Sequence, residues 1–489
     1  MIKVGISVGC IMALTVGTAS AADHTVTKTL EAQYPDIKMV VNGQAVTPQN
    51  GAGTVVEPFI VDGTVYLPMR VVGEAVGKQI EWDAKTNTVY IGKAPMEEDA
   101  QQLIDILEQT HPAFALNAVP DGYQAAKEAL LAQAQKPDCT VYDLTWAMMA
   151  YTASLGDEHT RIDPFGGVPQ AALDVAWVAD GEHLYLLAAN GAVTKAEVIS
   201  VGGVPTETLF AVIDRYVASE NQAGRDINHA EWATSPAMLV KAGAAFLADN
   251  TLTLEVKDNG QTTTRTVGLT IDADSEAESV ITTQMMGQVM YVDFNQCQDG
   301  TEMQQAVAAL GKAVQSGTRQ VIIDVRGNSG GNSDTCVQLL KAMGMEPPHY
   351  GAYVRYSPLA KGTYPDKYAQ DSGGDRYAPQ PEAAKANPNV QLVVLTDENT
   401  FSSANMMAVY VRDGKLGTLI GRPSSNMPNH YGDILTFTLE HTRTYCTVSH
   451  KQWLRPDQSV KDNSLSPDIV TAVGEDALQS ALAYLNKQS

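Results

Sequence analysis

The chain has 489 residues and 44% apolar side chains, with 33 Lys and Arg against 56 Asp and Glu, a formal net charge of −23. That length calls for more than one domain, and no long charge block or low-complexity tract interrupts a globular composition. The acidity argues against nucleic-acid binding and against adhesion to anionic lipid, and favours a soluble protein in an extracytoplasmic setting.

At the N-terminus Lys3 precedes an apolar run from Val4 to Val16, and Ala19-Ser20-Ala21 offers a small-residue cleavage site. This predicts a secretory signal peptide over 1–21, with a retained anchor as the alternative. The run is too short for a committed membrane span, and no later stretch approaches the roughly 18 apolar residues a span needs. Cleavage would remove Cys10 and leave Cys139, Cys297, Cys336 and Cys446. Their scatter is neither a disulfide framework nor a metal-ligand spacing, so they are expected to be buried small hydrophobes. No cofactor and no metal is expected.

Residues 37–93 predict a compact β-rich domain. Asn42-Gly43 and Asp62-Gly63 separate apolar runs as hairpin turns do, and Pro68 opens a short helix that Gly77 stops. Residues 96–165 follow as a helical lead-in. Ala100, Leu103, Ile104 and Leu107 share one helix face, a second helix covers about 122–134, and a third covers 142–155 before Gly156. Residues 168–270 change to short strands such as "HLYLLAA", "AEVISVGG" and "TLTLEVKDNG" around a helical insertion. From 280 to 489 apolar strands alternate with helices, which predicts a mostly parallel sheet covered on both faces. Within this region 355–388, rich in Tyr, Pro and Gly, reads as a long irregular loop.

Three segments carry the chemistry. "SLGDEHTRI" places His159 just past a helix end, where a lone histidine is more often structural than catalytic. "VIIDVRGNSGGNS" runs a buried strand into Gly327, Gly330 and Gly331, a loop able to turn sharply and present N–H groups to an anion. No Walker lysine or dinucleotide spacing accompanies it. "ENTFSSAN" puts Ser402 and Ser403 on a strand-to-helix turn, where a serine either caps the helix or acts as a nucleophile.

Together with "THPAF", "VRDGKLGTLIGRP" and the closing "LSPDIVTAVGEDALQSALAYL", these segments resemble the tail-specific, or C-terminal-processing, serine proteases and their tricorn-type relatives over 96–489. Residues 37–93 resemble the copper amine oxidase N-terminal domain, without a His or Cys there to hold copper. The resemblance implies an α/β multidomain fold: the small β-rich domain, the helical lead-in, a PDZ-like α+β domain at 168–270, and a catalytic core at 280–489. It also implies a secreted serine peptidase acting on a peptide or protein substrate, with 37–93 as a stalk or cell-envelope module associating with the cell wall.

The resemblance separates the two serines. Its nucleophile stands three residues before a Glu, eleven before an acidic residue and nineteen before a Gly. From Ser402 these positions hold Asn405, Asp413 and Gly421. Ser402 is therefore the expected nucleophile, with oxyanion donors at Ser403 and at Gly330 or Gly331. The lysine base of the tail-specific branch is replaced by Met427. The tricorn-type branch instead uses the histidine at the "DEHT" position, here His159, oriented by a carboxylate late in the chain. Asp462 is the expected orienter, Asp457 a second choice, and Asp468 is expected to hold a turn. His430 is a second candidate base. Loss of the lysine also leaves open an inactive relative that binds peptides.

Overall fold

The computed structural model describes residues 29–488, apart from 42–43, 50–53, 76–79, 84–87, 92–94, 137, 169 and 272–278. The expected signal segment with Cys10, the Asn42-Gly43 turn and the Gly77 helix stop lie outside the described residues. The chain divides into two units, Met1–Lys93 and Ala94–Ser489. Among the described residues the first contains three two-stranded antiparallel pairs, Met39–Val41 with Gln44–Val46, Phe59–Val61 with Thr64–Tyr66, and Ile80–Asp83 with Thr88–Ile91. A short helix, Met69–Ala75, follows Pro68.

The second unit opens with the helices Pro95–Thr110, Pro112–Leu116, Tyr123–Ala134 and Val141–Ala153. Ala100, Leu103, Ile104 and Leu107 are fully buried, as one apolar stripe requires. Thr140 and Asp143 close a reciprocal capping box on the helix that delivers "GDEHT". The next layer is an antiparallel sheet ordered Gln261–Val267, Leu252–Asp258, Val193–Val201, His183–Leu187, Trp177–Asp180. Between its strands are inserted the helices Thr206–Tyr216, Gln222–Trp232 and Pro236–Ala242.

The core is a six-stranded sheet ordered Ile281–Met286, Val289–Phe294, Gln320–Asp324, Gln391–Thr396, Thr418–Gly421, Ile469–Val470. Every pairing is parallel except the first, which a two-residue turn with Gly287 at φ +66° makes antiparallel. Alternate side chains explain the unbroken apolar runs. Val321, Ile323, Leu392 and Val394 pack among Met303, Leu310, Leu339 and Met407, while Ile322, Val393 and Leu395 pack against Ala477, Ala481 and Leu485. A strand buried on both faces has no polar side to show.

Two features depart from expectation. A second, antiparallel sheet joins Gly374–Tyr377, Gly351–Arg355, Tyr445–Leu454 and His430–Thr438, with Arg161–Ile162 on the long third strand. The 355–388 stretch is not one irregular loop. Ser357 accepts the Ala360 N–H and Pro358 opens the helix Pro358–Thr363, and Gly374–Tyr377 then pairs with Gly351–Arg355.

Candidate active site

The site forms where the strand Gln391–Thr396 turns into the helix Ser403–Asp413. Ser402 is the N-cap of that helix at φ 51° and ψ −121°, a sparsely populated conformation for a residue with a side chain. Its side chain caps nothing. Its N–H donates to Asn426 Oδ1 at 3.1 Å, which helps hold the strained turn.

The glycine loop is stitched to this turn. Phe401 N–H donates to Asn328 O at 3.0 Å, Thr400 Oγ1 to Val325 O at 2.9 Å, and Ser403 Oγ to Gly331 O at 2.7 Å. Glycine is required twice. Gly330 has φ 101°, and a Cβ there would lie 2.6 Å from Ser402 Cβ; Gly331 has φ 132°, and its Cβ would lie 2.3 Å from Cys297 O. The Gly330 N–H is taken by Asn328 Oδ1 at 2.8 Å. Among the described residues the N–H groups of Gly331 and Ser403 enter no hydrogen bond.

His159 stacks on Phe401, the neighbour of Ser402, with ring centroids 4.6 Å apart. Its Nδ1 lies 3.5 Å from Asp157 Oδ1 and 3.8 Å from Glu220 Oε1, and its side chain is 9% exposed. Burial opposes a charged ring, but the two carboxylates outweigh it and push His159 up to about 9. Asp157 is held by His111 Nε2 at 3.1 Å, Thr160 Oγ1 at 2.6 Å and Ser449 Oγ at 2.7 Å, all on Oδ2. Since His111 Nδ1 accepts the Ala113 N–H, its proton sits on Nε2, facing Asp157. Burial pushes the Asp157 carboxyl upward, yet the imidazoles of His111 and His159 bring it well below the usual range. Glu158, buried beside Glu220, is raised to about 8.

Glu220, like Asp157, is a carboxylate that sequence reasoning missed. Its Oε2 accepts from Asn426 Nδ2 at 2.7 Å and from the Met427 N–H at 2.9 Å. Asn426 thus connects the backbone of Ser402 to the carboxylate beside His159. Asn405 steadies the same segment, donating to Asn426 O at 3.2 Å and Met427 O at 3.3 Å while accepting from Ser424 Oγ at 2.8 Å. Both departures from the family pattern, Asn405 and Met427, therefore belong to one network. In "ASENQ" nothing marks Glu220, and Asp157 was not singled out either, although it stands two residues before His159 in "GDEHT".

The remaining expected residues lie elsewhere. Asp462 is exposed on the loop after Tyr445–Leu454, and the carboxylates facing His159 are Asp157 and Glu220 instead. That loop approaches the site through its backbone, where Asn463 O accepts from Asn221 Nδ2 at 3.3 Å. Asp457 accepts from Ser459 Oγ at 2.6 Å. Asp468 accepts the Leu419 N–H at 2.8 Å and pairs with Arg412 at 3.2 Å. Asp413 forms a buried ion pair with Arg455 at 2.5 Å. His430 lies parallel to His159 at 6.0 Å between centroids; burial and the charge of His159 lower it to about 3.

A glycine loop thus lies over a strained serine at a helix N-terminus, with a histidine stacked on the adjacent residue. Residues 285–471 match the model of Peptidase family S41, and residues 17–93 match the Copper amine oxidase N-terminal domain. The motifs of the core and of the small N-terminal domain are thus those of these two families. No curated protein matches the sequence. Among solved structures the chain is similar to mature CPAF complexed with lactacystin, with TM-score 0.53 and 13% identity over 81% of this chain and 98% of that one. Mature CPAF alone gives TM-score 0.52 and 12% identity over 81% and 96%. The photosystem II D1 C-terminal processing protease gives 0.43 and 14% over 78% and 94%. At such identities the two CPAF structures speak for the fold alone.

Proposed function

We propose that the protein is a secreted serine peptidase that hydrolyses peptide bonds through an acyl-enzyme on Ser402, with His159 as base. The observation that carries this reading is the chain of contacts from Ser402 N–H through Asn426 to Glu220 and on to His159 Nδ1. With Nδ1 turned to the carboxylates, Nε2 is the nitrogen left to take the Ser402 proton. A serine hydroxyl needs such a base. The new oxyanion meets the N–H groups of Gly331 and Ser403, donors worth about 3–4 kcal/mol each in transition-state stabilisation. His159 then returns its proton to the leaving amine, and water enters by the same base to free the enzyme. Asp157 and Glu220 orient the ring and stabilise its charged form, the part first expected of Asp462.

The test is labelling of the purified chain by a fluorophosphonate probe at pH 9. Ser402→Ala is expected to abolish labelling, and an unlabelled wild type overturns the reading. One observation favours a second reading, a peptide-binding relative without turnover: His159 held at about 9 is mostly protonated at neutral pH. That reading predicts peptide binding at pH 7 that Ser402→Ala and His159→Ala leave unchanged, with no labelling at any pH. The signal segment at 1–21, the PDZ-like reading of 168–270 and cell-wall association through 37–93 complete the proposal. Binding of purified cell wall, lost on deletion of 29–93, checks the last of these.

A further inference from the structure

The same cluster has a feature that proton transfer alone does not require. Glu220 anchors Oε2 in hydrogen bonds and aims Oε1 at His159 Nδ1, while Asp157 anchors Oδ2 and faces the same nitrogen with Oδ1, which also accepts the His159 backbone N–H at 3.0 Å. At 3.5 and 3.8 Å these are ion-pair separations rather than good hydrogen bonds. Glu220 Oε1 and both ring nitrogens of His159 are buried without a hydrogen-bond partner, and the two side chains are only 1% and 9% exposed. One ligand atom from each of Asp157, His159 and Glu220 lies within 4.8 Å of the other two.

We propose that Asp157, His159 and Glu220 form an inhibitory site for a divalent transition-metal ion of the Zn²⁺ class. Zinc bound at about 2.0–2.2 Å to nitrogen and oxygen ligands in tetrahedral geometry holds those ligands roughly 3.4 Å apart, close to the 3.5 and 3.8 Å between His159 Nδ1 and the two carboxylate oxygens. One imidazole and two carboxylates suit zinc better than magnesium or calcium, which call for more oxygen ligands. The hydrogen bonds on Asp157 Oδ2 and Glu220 Oε2 are the outer contacts that keep metal-binding carboxylates in place. The consequence for the reaction is specific and rests on the reading of His159 as base. A neutral imidazole bound through Nδ1 carries its one proton on Nε2. It then cannot accept the proton of Ser402, and the ion switches the enzyme off.

Binding is measured on the full-length Ser402→Ala protein, so that it does not depend on catalysis. Equilibrium dialysis against Zn²⁺ is expected to give one equivalent that Glu220→Gln weakens at least tenfold. His183→Ala, at an exposed His–Glu pair, serves as the control and leaves that equivalent in place. The second measurement uses chelator-treated wild type, where added Zn²⁺ is expected to suppress fluorophosphonate labelling at least tenfold and EDTA to restore it. Absence of zinc binding, or binding indifferent to Glu220→Gln, overturns the site. Zinc that binds and leaves labelling unchanged, or stimulates it, overturns the inhibitory assignment. Failure of the chelated wild type to label at all refutes the peptidase reading, while the dialysis result still decides the metal site.

Discussion

Glu220 divides its two oxygens between two tasks, one fixing the 426–427 backbone and the other facing His159. At position 427, where the resemblance led one to look for a lysine, the chain has Met427, whose backbone N–H donates to Glu220 Oε2. Two carboxylates beside one imidazole have a measurable effect on pH dependence. With His159 raised to about 9, the neutral base grows about tenfold per pH unit below that value. In metal-free protein, kcat/KM is therefore expected to rise with pH and level off above about 9; a profile already flat at pH 7 contradicts this. Glu220→Gln removes one of the charges that hold the proton. Its midpoint is expected to shift toward lower pH while the plateau falls at least about tenfold, a split that simple loss of packing would not produce. His159 and Glu158 are both raised on folding, so each contributes stability that declines as pH rises, through about 9 and about 8 respectively. Their combined effect is a urea midpoint that falls between pH 6 and pH 9.5.

The elements around the serine are set by close approach. The loop after Gln320–Asp324 and the helix Ser403–Asp413 meet so tightly that Gly330→Ala would push a methyl against Ser402 Cβ and the Ser403 nitrogen. At φ 101° the substitution is strained as well, at about 1–3 kcal/mol. It is expected to reduce labelling at least 100-fold, and unaffected labelling refutes the loop's placement. How much of this was legible follows from the same contacts. The core strands were readable because burial on both faces leaves unbroken apolar runs, and so was the strand-to-helix turn that carries Ser402. The strand Tyr445–Leu454 escaped because Ser449, His450 and Lys451 are buried in it, which spoils any alternation. Glu220 escaped because it joins the site only when its turn docks, with Glu158 accepting the Glu220 N–H and Ser424 O accepting from Asn221. Asp462 matched a position late in the chain, but its loop leaves the side chain in solvent.

At the scale of the molecule the division at Lys93 and Ala94 separates the chemistry from the small β-rich unit. Every residue placed at the site lies in Ala94–Ser489, so that fragment is expected to unfold cooperatively and to label at the rate of the full chain. Integrity of the core depends on buried charge as well as apolar packing. Asp413→Ala would leave Arg455, which is 1% exposed, without its partner, at a cost of about 3–5 kcal/mol in urea unfolding. Distant segments of this unit converge on Ser402: the end of the lead-in helices, the turn before Gln222–Trp232, the glycine loop and the 424–427 segment. The claim that joins them is that His159 activates Ser402. It is tested most directly by the pH dependence of fluorophosphonate labelling in chelator-treated wild type and His159→Ala. Wild-type labelling should climb to a plateau near pH 9, and His159→Ala should label at least 100-fold more slowly with no such rise. Equal rates and equal profiles in the two proteins would contradict it.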